Sequence, residues 1–229
     1  MAALPVLERL TSDERKTLQE LAILFMYEKE IIGAQGLVIT QHMTMVISLQ
    51  ASLPVLYLGL DCYEGWVSVI VYPSGFAPER TVTDEYGVVH HVQMNQAGEA
   101  WQRGPVILAW DEAASAAQID GDNLVIHEFV HKLDMQNGEA NGYPPIHKDM
   151  QHSHWVQAFS SGYEDFRKRC QQGVSIGINC YGAESPAEFF AVFSEVFFER
   201  PEILVRYYAD IYEQMKKYYQ QDPVQGMSG

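Results

Sequence analysis

The chain has 229 residues, 47% hydrophobic and 12% aromatic, with a formal net charge of −15. This composition excludes wholesale disorder, and the acidic balance argues against a nucleic-acid partner, which needs basic patches to neutralise phosphate. No stretch reaches the ~18 consecutive apolar residues of a membrane span, so no membrane role is expected. The length fits one domain over 1–229, with an N-terminal helix-and-sheet part to about 120 and a helical part from about 121.

The start, Met-Ala-Ala-Leu-Pro-Val-Leu, has neither the basic nor the long apolar region of a signal peptide. Residues 11–32 read as an amphipathic helix. Thr11 and Glu14 form a capping box, Leu18, Leu21, Ala22 and Phe25 keep helical spacing, and Gly33 and Gly36 close it. Met43 to Leu53 is a second apolar helix running to Pro54. Trp66 to Tyr72, rich in β-branched and aromatic residues, is a strand. Residues 74–86 read as loop, and Val88 to Met94 as another strand. His90 and His91 are neighbours there and point to opposite faces, as solvated strand histidines rather than joint ligands. Gly104 to Trp110 is a further strand, followed by a short helix from Asp111 to Gln118.

The segment Asn123-Leu-Val-Ile-His-Glu-Phe-Val-His-Lys-Leu-Asp134 carries the chemistry. His127 and His131 stand four apart, on one face of a helix. Glu128 between them completes the H-E-x-x-H pattern of zinc peptidases. The helix is apolar almost all round and must be buried, so its titratable groups need partners. Asp122 or Asn123 is its N-cap. The loop from Glu139 to Gln151 is long enough to be a substrate-facing wall. Around it His147, His152 and His154 read as a polar loop rather than a second metal site. Trp155 to Gln171, Ser185 to Glu199 and Pro201 to Tyr219 are helices. The cysteines, Cys62, Cys170 and Cys180, are odd in number and form no CxxC, which reads as reduced thiols in a cytoplasmic protein.

A catalytic zinc usually takes three protein ligands. Asp134 is seven residues past His127, roughly 10 Å along the axis, too far to bind the same ion but placed to orient an imidazole. Glu188 and Glu195 share a face of the phenylalanine-rich helix, where buried carboxylates need a partner. Ser185-Pro-Ala-Glu188 is itself a capping box, so spacing does not separate a cap from a ligand and leaves Glu188 only modestly ahead of Glu195.

These residues resemble the Mlc titration factor A family of bacterial zinc peptidases. The resemblance rests on His127-Glu-Phe-Val-His131 with Asp134, and on Tyr181-Gly-Ala-Glu-Ser-Pro-Ala-Glu188-Phe-Phe-Ala. It extends to Leu53-Pro-Val-Leu56, Gly104 to Trp110, Asp134-Met-Gln-Asn-Gly138 and Tyr218 to Pro223, and covers nearly the whole chain. The second half is also similar to the catalytic domain of anthrax lethal factor, where a Tyr precedes the ligand Glu by the same seven residues. The resemblance implies an α+β, zincin-like fold, mostly helical, with a small sheet on the active-site helix. It implies one zinc held by His127, His131 and Glu188, with Glu128 as the base acting on the zinc's water and Tyr181 as an auxiliary group. Val106 to Trp110 would be the sheet edge along which a peptide substrate adds. Thermolysin-like enzymes carry an acid four residues after the ligand Glu; that position here is Val192, which leaves Asp134 or Glu195 to orient a histidine. The implied activity is peptide hydrolysis, aminopeptidase-like on short substrates. The implied partner is the transcriptional repressor Mlc of sugar-phosphotransferase genes, whose binding needs no zinc site.

Overall fold

The computed structural model describes residues 4–74, 80–83, 89–92, 104–115 and 118–225. Helix α1 (Ser12–Glu28) begins at the expected capping box: Thr11 Oγ1 accepts from the Glu14 amide at 3.3 Å, and the Glu14 carboxylate accepts from the Thr11 amide at 2.7 Å. It buries Leu18, Ala22 and Phe25. The helix stops at Glu28 and not near residue 32. Glu30–Gly33 is strand β1, where the β-branched pair Ile31 and Ile32 enters a sheet. The buried Lys29 anchors the junction, its Nζ donating to the carbonyls of Tyr63 and Trp66.

Helix α2 (Gln41–Ser52), capped by Thr40, crosses to strand β2 (Ser68–Tyr72), parallel to β1 with Ile32 opposite Ile70. Strands β3 (Arg80–Thr83) and β4 (Val89–Val92) form an antiparallel pair, so the expected loop over 74–86 contains a strand. The side chains of His90 and His91, and residues 88, 93 and 94 of the expected second strand, lie outside the described residues. Strand β5 (Val106–Ala109) adds parallel to β2, giving the order β1-β2-β5. Parallel strands need crossovers, and α2 supplies the first. Helix α3 (Trp110–Ser115) follows β5 directly; residues 116 and 117 of the helix expected there lie outside the described residues.

Helix α4 (Leu124–Asp134) carries the H-E-x-x-H segment and packs on β5 and α2. Its Phe129 is fully buried among Phe25, Tyr63 and Trp66, with ring centroids 5.2–5.7 Å away. Burying one such ring contributes about 1.5–3 kcal/mol. On the other side α4 meets helix α6 (Pro186–Glu199), whose residues from Phe189 onward are all buried. Helix α5 (His152–Gln171) sets Trp155 and Phe159, stacked on each other, edge-to-face against Phe190. The molecule is thus mostly helical with a small parallel sheet packed on α4, an α+β arrangement. Among the described residues no helix is long and apolar enough to cross a membrane.

Two further expectations are corrected. The helix foreseen over 201–219 is two, α7 (Pro201–Tyr207) and α8 (Ala209–Tyr219), broken at Tyr208 with φ −143° and ψ 52°. The break sets the Tyr208 ring against Phe166 and Phe193 and its hydroxyl 3.0 Å from Asp165 Oδ2. The cysteines are not three thiols. Cys170, at the end of α5, is disulfide-bonded to Cys180, and only Cys62 is free among the described residues. The turn after α5, with Gly173 at φ +68°, returns the chain so that the two Cα atoms lie 5.7 Å apart.

Candidate metal centre

Of the two foreseen candidates, Asn123 is the N-cap of α4, its Oδ1 accepting from the Ile126 amide at 3.0 Å. One turn on, His127 is buried and His131 half-buried, their rings 4.7 Å apart and nearly perpendicular. Their Nε2 atoms face each other at 3.1 Å. Glu188 reaches them from the first turn of α6. Ser185 Oγ accepts from the Glu188 amide at 3.2 Å, which is half of the capping box. The other half is not formed. The Glu188 carboxylate turns to the histidines instead, with Oε2 3.0 Å from His127 Nε2 and 3.4 Å from His131 Nε2. Capping and site therefore use different atoms of one residue.

Among the described residues this is the one group of three or more His, Cys, Asp or Glu that could hold a metal ion, its donor atoms all within 4.8 Å of one another. For tetrahedral zinc with bonds of about 2.0–2.1 Å, neighbouring donors lie about 3.3–3.4 Å apart. The observed 3.0, 3.1 and 3.4 Å edges fit that ion with an adjustment of a few tenths of an ångström. Glu195 does not join the group. Its Oε1 lies 2.7 Å from His127 Nδ1, on the opposite edge of the ring. In the neutral imidazole that a metal would bind, accepting the Nδ1 proton there would leave the Nε2 lone pair on the side of Glu188 and His131.

Electrostatics follow from these pairs. Burial opposes a charge on His127, but the hydrogen bonds to Glu188 and Glu195 outweigh it and raise the imidazole to about 10. Burial pushes Glu188 up, but His127 and His131 hold it down at about 2. Burial raises Glu195. Asp134 does not orient an imidazole. Fully buried, it accepts the amides of Asn141, Gly142 and Tyr143 at 2.7–2.9 Å, tying the loop after α4 to the helix end. Burial brings it up to about 6 despite those bonds.

Glu128 is half-buried and lines a pocket of about 380 Å³ together with His127, Tyr181, Asn179, Glu112 and Asp122. Tyr181 stands beside the site, its ring 5.9 Å from that of His127. Burial first, then Glu188, raises its hydroxyl to about 12, so it remains a donor at neutral pH. Its turn is fixed by Asn179 Oδ1, which accepts the Tyr181 amide at 3.0 Å, and by the adjacent disulfide. Glu112 and Asn179 enter the pocket with no motif to announce them. Two other histidines stay out of it: His147 Nε2 donates to the Tyr218 carbonyl at 2.8 Å, and His152 pairs with the Tyr143 hydroxyl.

The family model for the glucose-regulated metallo-peptidases M90 matches residues 1–220. The chain belongs to this family. Curated relatives agree. It is 37% identical over 226 residues to Mlc titration factor A of Serratia proteamaculans, covering 97% of this chain and 86% of that protein. It is 38% identical to Mlc titration factor A of Pectobacterium atrosepticum, covering 97% and 84%. With the factor of the same name from Klebsiella pneumoniae the identity is 36%, over 97% and 85%. Membership in M90 makes the chain metallopeptidase-like, and the His127, His131 and Glu188 group is where a metal could sit.

Proposed function

We propose that this chain is a single-domain, zincin-like zinc peptidase over 1–229, with one Zn²⁺ held by His127, His131 and Glu188. The observation that carries this reading is the convergence of two Nε2 atoms and one carboxylate beside Glu128 in an open pocket. Two imidazoles and one carboxylate, with a position left free, make a donor set suited to catalytic zinc. The chemistry that zinc supplies when bound is polarisation of the scissile carbonyl and a lowered pKa for water.

The chain's own residues do the rest. Glu128 takes the proton of the attacking water and passes it to the leaving amine. Tyr181, protonated across the neutral range, donates a hydrogen bond to the oxyanion as it develops. Glu195 holds His127 in the tautomer whose Nε2 is free. β5 is one of the two edge strands of its three-stranded sheet among the described residues and the one that packs on α4, which supports an extended peptide adding along it by main-chain hydrogen bonds. The pocket is lined by Glu112, Asp122, Glu128 and Glu195, which favours a substrate with a free, positively charged amino terminus and so aminopeptidase action. A peptide library with free and blocked N-termini tests this. Chelator-sensitive cleavage of the free set supports it; cleavage of both sets alike makes the enzyme an endopeptidase, and silence removes the peptidase reading.

The name of the relatives, Mlc titration factor A, favours a second role. In that reading the chain binds and sequesters a transcriptional repressor like Mlc. A chain unable to hydrolyse peptides but still able to titrate the repressor would separate the two.

A further inference from the structure

Beyond Glu188 and Glu195, helix α6 presents a third carboxylate to α4, and no motif accounts for it. Glu188, Glu195 and Glu199 stand seven and four residues apart, spacings that share a helix face. Glu199 is eleven residues from Glu188, about 16 Å along the axis, and far from the metal-binding atoms. It is only 1% exposed, yet it is a carboxylate at the end of an apolar helix. Its Oε2 accepts the Gly121 amide at 3.0 Å and its Oε1 accepts Asn123 Nδ2 at 2.8 Å.

Asn123 is the N-cap of the active-site helix, and all its polar groups are engaged. Its amide donates to Glu195 Oε2, and its Nδ2 donates to both Glu199 and Gln50 Oε1. Its Oδ1 caps Ile126, and its carbonyl accepts the amide of His127 itself at 2.9 Å. The helix that supplies the third ligand therefore also grips the first turn of the helix that supplies the other two. The separation of α4 and α6, on which the His127 to Glu188 distance depends, is set at both ends of one line of carboxylates.

We infer that Glu199 is a positioning residue for the metal centre, acting through Asn123 in concert with Glu195. The inference rests on the metal reading above. The test is zinc affinity by competition with a chelator, read well below the melting temperature of each metal-free variant. Loss of a group that orients a ligand typically weakens metal binding about 10–100-fold. Glu199→Ala is expected to weaken zinc about tenfold, and Glu199→Gln, which keeps one acceptor, by about threefold. Ser194→Ala on the same helix is the comparison. Ser194 Oγ bonds the Phe190 carbonyl and the Tyr219 hydroxyl, neither of which belongs to α4 or the site, so its loss should lower Tm and leave zinc affinity unchanged. Glu199 variants with lowered Tm but wild-type zinc affinity overturn the inference. If Glu199→Ala does not fold, the Gln variant decides alone, and unchanged affinity there overturns it. Wild-type protein that binds no zinc removes the metal reading and this one with it; zinc-binding wild type beside indifferent Glu199 variants removes only the positioning role.

Discussion

The imidazole of His127 spans two carboxylates of one helix: Glu188 Oε2 lies 3.0 Å from its Nε2, and Glu195 Oε1 lies 2.7 Å from its Nδ1. The two glutamates therefore have different tasks, and their alanine variants should separate them. Glu188→Ala is expected to lose stoichiometric zinc. Glu195→Ala is expected to keep it, with affinity about 10–100-fold lower. Metal content after gel filtration checks the first outcome and chelator competition the second. A chain that loses metal only in Glu195→Ala would exchange the two roles.

The spacing of His127, Glu128 and His131 was legible because a single helix carries all three, and helical geometry alone aligns them. Glu188 was ambiguous for a physical reason. Its amide caps α6 and its carboxylate faces the histidines, and a sequence pattern cannot say which atoms of one residue are used. Ile31 and Ile32 read as the end of an amphipathic helix, because the strand they pair with lies almost 40 residues away, at Val69 and Ile70. Nothing local marks the break at Tyr208; a pocket between Phe166 and Phe193 overrides a helix-favouring stretch. The Cys170 to Cys180 pairing depends on how the chain turns after α5, which a ten-residue spacing does not encode.

Asp134 is expected to matter for stability rather than for metal binding. Its carboxylate satisfies three amides of the 141–143 loop. Asp134→Asn replaces one accepting oxygen by an NH2 group that meets a loop amide donor to donor, and leaving that buried polar group without an acceptor costs about 1–3 kcal/mol. Urea unfolding should show that loss, and amide exchange should quicken over 139–151. A variant as stable as wild type, but with weakened zinc, would return Asp134 to the imidazole.

The disulfide makes a separate contribution. Closing a loop of this length removes chain entropy worth about 3 kcal/mol from the unfolded state. Cys170→Ser should be less stable by about that amount, and dithiothreitol should lower wild-type stability without affecting the variant. Equal stability of the oxidised and reduced wild type would deny the bond a structural role.

The metal-free protein should have a pH profile set by the His127 pairs. Hydrogen bonds to Glu188 and Glu195 raise His127 to about 10 against the burial that opposes its charge, so its contribution is whole below 6.5 and is lost as pH rises toward 10. Glu188, held at about 2 by the histidines against its own burial, contributes fully above 4.5 and loses that as pH falls toward 2. These pairs therefore lower the melting temperature in the presence of chelator on both flanks, opposed on the alkaline side by Lys132, which burial brings down to about 8. His127→Gln should flatten the alkaline flank between pH 6.5 and 10; an unchanged alkaline flank would place its origin elsewhere.

Replacing Glu128 addresses the peptidase reading most directly. Glu128 borders the pocket but belongs to no metal-binding group, so Glu128→Ala should keep one zinc per chain while hydrolysis of a peptide substrate falls by about 10²–10⁴-fold, the usual weight of a general base. Zinc-replete Glu128→Ala protein that cleaves the peptide at the wild-type rate would contradict the account.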